Sequence, residues 1–196
     1  MLVSFLFINC KNEKIKSAKN EQPISKSDDF NTFIRKFKVL KLPLVMKPME
    51  MQNVENLSPL TKVDLRFISL HNINFELDKV YPYGLLPDTL ESYKVICLFP
   101  SEIYIPIMVT YSKSGKKISE ETLSVGYCGS DCGFTCMETI KIYSDQKIYS
   151  VDSIESHECD SLGQILNTKK KYTHFINGVI SKKGKIILSQ IVKKKE

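Results

Sequence analysis

The sequence predicts an α+β domain, in which an antiparallel β-meander of about six or more strands packs with one N-terminal amphipathic helix. Two patterns carry that expectation. The second half of the chain holds three successive pairs of β-rich runs, each pair joined by a short polar connection. Ahead of them, four large apolar residues recur at helical spacing. The size fits one core: 196 residues, 42% hydrophobic and 26% charged, are ordinary values for a single globular domain with a tail.

The helix is read from Phe30, Phe33, Phe37 and Leu40, whose spacings of three, four and three put them on one face. Ser27, Asp28 and Asp29 suit its start, where side-chain oxygens cap free amides and negative charge meets the positive dipole end. Pro43 ends it at or before Leu42, since the residue preceding a proline is pushed out of helical conformation. From Leu44 to Pro100 the pattern is mixed and reads as short strands, with apolar runs at Val63 to Leu70 and Tyr93 to Phe99 and turn chemistry at Tyr81-Pro82-Tyr83-Gly84. The hairpins follow. Tyr104 to Tyr111 and Ile118 to Tyr127 flank SKSGKK, Glu138 to Tyr143 and Ile148 to Ile154 flank SDQK, and Tyr172 to Ile180 and Lys185 to Val192 flank SKKG. Three consecutive hairpins imply one meander, covered by the helix or closed into a small barrel.

The chain opens with MLVSFLFI, apolar apart from Ser4. That is far short of the roughly 20 residues a membrane-spanning helix needs, and long enough for the apolar region of a secretory signal. Phe7-Ile8-Asn9-Cys10 resembles the lipobox of bacterial lipoproteins, which are cut just before a cysteine that then carries lipid. The resemblance covers about ten residues. Asn9 stands where a smaller residue is usual, and the missing basic residues before the apolar run fit a start placed downstream of the true one. The resemblance implies a signal over residues 1–9 and lipidation at Cys10. Lys11 to Lys26 has only Ile15 and Ile24 as large aliphatics, too little apolar surface to offset the entropy of ordering, so residues 10–26 read as a flexible tether. Residues 27–196 are then the single α+β domain.

Three of the six cysteines fall in CGSDCGFTC, at positions 128, 132 and 136, between the second and third strands of the meander. Cys159 lies just past the fourth strand, where a meander returns to the same end. Cys97, inside KVICLF, reads as a buried thiol behaving as a small hydrophobe. In an exported chain disulfides persist. Cys128, Cys132, Cys136 and Cys159 then make two bridges, in one of three connectivities. A bridge from Cys159 to the triplet closes the longer loop and restricts the unfolded chain more. The competing reading is a metal or thiol-redox site built from Cys128, Cys132, Cys136 and Cys159, or from three of them with His157. A triple at spacing four differs from the usual paired knuckles of zinc sites, and no C-x-x-C accompanies a βαβ unit.

The net charge of +6 is spread along the chain without the interleaved aromatics of a nucleic-acid groove, so nucleic acid is not an expected partner. No G-x-S-x-G, Walker loop, G-x-G-x-x-G or H-E-x-x-H is present. His71, His157 and His174 are the chain's histidines, and His71 and His174 sit among strand-like residues. Asp152, Glu155, Glu158 and Asp160 read as solvated charge beside a turn. No catalytic residue and no cofactor are assigned. The expectation is an exported lipoprotein of the cell envelope, resembling the small Gram-negative lipoproteins of unknown function. It is held to the periplasmic or outer-membrane face by lipid on Cys10 and acts as a non-enzymatic module that binds an envelope protein, glycan or peptide.

Overall fold

In the computed structural model the described residues are 26–68, 79–126, 128, 131–161 and 163–195. The expectations for the signal, for Cys10 with most of the tether, and for His71 concern residues outside that set. Among the described residues no helix is long and apolar enough to cross a membrane.

The described residues are mostly antiparallel β, and among them are ten strands in two sheets. One sheet runs in the order β2 (Tyr81–Leu85), β3 (Ser92–Phe99), β4 (Ile105–Ser112), β5 (Lys117–Thr122). The other runs β1 (Leu44–Met46), β6 (Phe134–Ile142), β7 (Lys147–Asp160), β8 (Gly163–Ile180), β10 (Val192–Lys195), with β9 (Ile186–Leu188) also paired to β8.

This corrects the single meander. The three expected hairpins form, as β4–β5, β6–β7 and β8–β9, but the first belongs to a different sheet from the other two. The reason lies in β3 and β4, SYKVICLF and IPIMVTYS, which are apolar on both faces and so must be covered on both. Their outer face, with Val95, Cys97, Phe99, Val109 and Tyr111, packs against Phe30, Phe33 and Phe37. Their inner face, with Ile96, Leu98 and Met108, packs against Ile140, Ile142, Ile148 and Ile180 of the second sheet. The second sheet alternates buried and exposed positions along β6 and β7, as expected where only one face is covered.

Three local expectations are also corrected. Helix α1 covers Lys26–Ile34 and stops well before Leu42. Beyond it the chain turns to pair with β2, where Leu40 N–H donates to Leu85 O at 2.8 Å and Leu85 N–H to Lys38 O at 2.8 Å. Phe37 and Leu40 still reach the core, carried by that turn rather than by helix. Tyr81-Pro82-Tyr83-Gly84 is strand β2 instead of a turn. Pro82 is accommodated because β2 is an edge, and the register shifts between Pro82 and Gly84, where Leu40 packs on the glycine. Val63 to Leu70 contains no strand among its described residues. A 3₁₀ turn at Asp64–Phe67 replaces it, started by Asp64, whose carboxylate accepts from Thr61 N–H and Thr61 hydroxyl at 2.6 Å each and is clasped by Lys36. Burial works to raise the Asp64 pKa, but Lys36 and Thr61 outweigh it and hold the carboxyl below its ordinary value.

The aromatic side of the core has one polar anchor. Tyr111 is fully buried and its hydroxyl donates to Phe67 O at 2.8 Å. Tyr111→Phe strands that carbonyl in an apolar layer, so a loss of about 1 kcal/mol is expected in urea unfolding.

Candidate functional site

The cysteines define one end of the molecule. Cys128 bonds to Cys136 and Cys132 to Cys159, with Cα separations of 5.2 and 6.4 Å. The expected bridge between Cys159 and the triplet is thus the one from Cys132, and it ties the start of β6 to the far end of β7. Cys97 is buried and is the free cysteine of the described residues, its thiol pushed up by burial. With four sulfurs spent in disulfides, the set Cys128, Cys132, Cys136, Cys159 offers no thiolate to a metal. His157 turns its Nε2 to Glu155 Oε1 at 3.3 Å.

Gly133 explains how the chain turns tightly enough for these bonds. Its φ of +69° is a conformation that residues bearing a Cβ adopt rarely. It also lies directly against β7, where His157 N–H donates to Gly133 O at 2.6 Å. A Cβ at Gly133 would press on the His157 carbonyl and come within 2.8 Å of Cys159 Sγ.

Behind the Cys128–Cys136 bond lies a row of ionisable residues that the sequence reading did not assemble. Glu138 on β6 is paired across strands with Asp152 on β7, Asp152 with His174 on β8, and His174 with Lys193 on β10. Glu138 is 3% exposed and Asp152 0%, on the core face they share with Ile140, Ile142, Ile148, Ser150 and Ile154. Asp152 is therefore not the solvated charge expected of it, although Glu158 and Asp160 beyond it are exposed. A carboxylate oxygen of Asp152 lies within 4.8 Å of both Cys128 Sγ and Cys136 Sγ.

Glu138 holds the strand-to-sheet crossover in place. Its Oε1 accepts from Val125 N–H at 2.6 Å and its Oε2 from the Ser124 hydroxyl at 3.0 Å. Burial, reinforced by the charge of Asp152, pushes its carboxyl up to about 7, against the lowering effect of those two donors. A side-chain hydrogen bond to Asp152 adds to the rise. Period-two alternation along β7, with Ile148, Ser150, Asp152 and Ile154 on one face, is the sequence signal that would have placed Asp152 inside.

Glu138, with Asp152 buried behind it, lines a cleft of about 460 Å³. Its walls include Met49, Ile103 and Ile105, the Cys128–Cys136 disulfide, and the carboxyls of Glu102 and Glu138. A largely apolar cleft with a few convergent polar groups has the character of a small-ligand site.

No protein-family model matches the chain, and neither a curated protein nor a solved structure matches it.

Proposed function

We propose that this chain is an exported, membrane-anchored lipoprotein domain acting as a non-enzymatic binding module, with its ligand seated in the cleft between the sheets. The observation that carries the reading is that the Cys128–Cys136 disulfide forms part of the cleft wall. A cross-linked wall keeps its shape before a ligand arrives, so little ordering cost falls on binding. Paired cysteines also fit the oxidising compartment that a signal and a lipidated Cys10 would imply. In this reading the domain is α+β, α1 covers the outer face of the first sheet as its N-terminal layer, and residues 10–26 are the tether from the lipid.

The test has two arms. Export of the full chain in the presence of an alkyne-tagged fatty acid is expected to label the protein, and Cys10→Ser to abolish the label. The exported Cys10→Ser chain, screened by NMR against peptides, glycans and envelope proteins, is expected to show shifts at the cleft that Ser101→Trp, on the exposed rim, removes. An unlabelled parent chain would contradict the anchor. Shifts indifferent to Ser101→Trp would contradict the cleft.

A further inference from the structure

We propose that the cleft is a receptor for an organic cation, an alkylammonium or guanidinium group on an apolar stem, whose charge rests against Glu138, backed by the buried Asp152, while the stem lies along Met49, Ile103 and Ile105. This rests on the binding reading above and names the ligand class it lacks.

The charge distribution points there first. The chain carries a net +6, yet the charged residues of the cleft wall are Glu102 and Glu138, with no Lys, Arg or His among its described lining residues. An anion would meet only carboxyls and hydroxyls. A wholly neutral ligand would make no use of the acid at 138, which stands on a face it shares with Ile140 and Ile142.

The stereochemistry of Glu138 is the second argument. An ionised carboxylate offers about four acceptor sites. Val125 N–H and Ser124 hydroxyl use one on each oxygen, and below pH 7 the proton that Glu138 retains uses a third. An incoming ammonium or guanidinium donates to the remaining site and supplies the positive charge that this proton otherwise provides. The exchange balances: the cation enters, the Glu138 proton leaves to solvent, and the net charge of the site is unchanged.

The groups that face Glu138 decide the pH dependence. They are Asp152 from β7, His174 next along the row on β8 with Lys193 beyond it, and Glu102 in the same cleft. The nearest are acids, so the proton on Glu138 is the competitor of the ligand. Affinity is expected to rise by about tenfold per pH unit below pH 7 and to level above it.

Isothermal titration calorimetry on the full Cys10→Ser chain tests this. The probes are Nα-acetyl-lysine amide, free hexylamine, and Nα-acetyl-norleucine amide as the uncharged isostere. Both amines are expected to bind, the norleucine compound at least about tenfold more weakly, with close to one proton released per ligand below pH 7. The lysine amide binding more tightly than hexylamine would assign the natural ligand to a polypeptide side chain, and the reverse order to a free amine. Glu138→Gln is expected to weaken both amines by about tenfold or more and to erase the pH slope, whereas Glu158→Gln, at the exposed end of β7, leaves both intact. Two-dimensional NMR confirms that Glu138→Gln stays folded. Equal binding of the norleucine probe, a Glu138→Gln chain that is folded and binds as before, or occupancy by calcium in preference to the amines would overturn the proposal. A neutral or anionic ligand found in the cleft would overturn the cation assignment and spare the binding reading; an empty cleft throughout would overturn both.

Discussion

At pH 8, Glu138→Gln is expected to unfold at higher urea than the parent chain, by up to about 3 kcal/mol. The figure follows from moving a carboxyl from its ordinary 4.5 to about 7, at about 1.4 kcal/mol for each unit. The sign is set by the direction of the shift. Between pH 4.5 and 7 the folded chain holds a proton that the unfolded chain has lost, so the parent loses stability as pH rises through that window and is level above it. Glutamine keeps an oxygen for Val125 N–H and can donate to Asp152, so it removes the buried charge without emptying the site. The variant is therefore expected to lose most of the slope between pH 4.5 and 7 while matching the parent near pH 4.5. Asp64 does not confuse the result. Its carboxyl is held below the ordinary 3.8, so its contribution is present above that value and is lost only as pH falls below it. A variant less stable than the parent at pH 8 would show that the carboxylate is a structural clasp for residues 124 and 125. A gain in stability would mark Glu138 as a residue held against folding, as sites kept for binding often are.

Cys132→Ser with Cys159→Ser is expected to cost about 3.5 kcal/mol, the loop-closure value for a sequence separation of 27. Cys128→Ser with Cys136→Ser, at a separation of 8, is expected to cost about 2.5 kcal/mol. The two bonds should separate in function. The longer bond fastens the turn at Gly133 to the end of β7, outside the cleft, so its loss lowers the urea midpoint with little change in ligand affinity in the absence of urea. The shorter bond is part of the cleft wall, so its loss weakens binding more than its stability cost suggests. Equal effects of both pairs on affinity would contradict this division.

The hairpins were legible because turn chemistry is local. SKSGKK, SDQK and SKKG each fall between the strands they were expected to join. The division into two sheets was not legible, because it depends on which faces of β3 and β4 are covered, and a continuous apolar run does not say what covers it. Tyr81-Pro82-Tyr83-Gly84 misled for a related reason: proline and glycine mark turns in isolation, but an edge strand with a bulge tolerates both. The cysteine pairing was narrowed by topology and loop length, and closed only by the path of the chain through Gly133. Asp152 was grouped with its acidic neighbours along the sequence, where its alternation with Ile148 and Ile154 was the better guide. Glu138 carries no sequence signal beyond its place two residues before Ile140 on the same face; its importance comes from Val125 and Asp152, brought to it by the fold.

Non-reducing peptide mapping of the exported chain, with intact mass and elemental analysis, tests most directly the proposed domain with one disulfide in its cleft wall and a second at the end of β7. Linked peptides are expected for Cys128–Cys136 and Cys132–Cys159, with Cys97 alkylated only after unfolding. Free thiols at all five of these positions together with stoichiometric zinc or iron would contradict it, and would make CGSDCGFTC a metal centre.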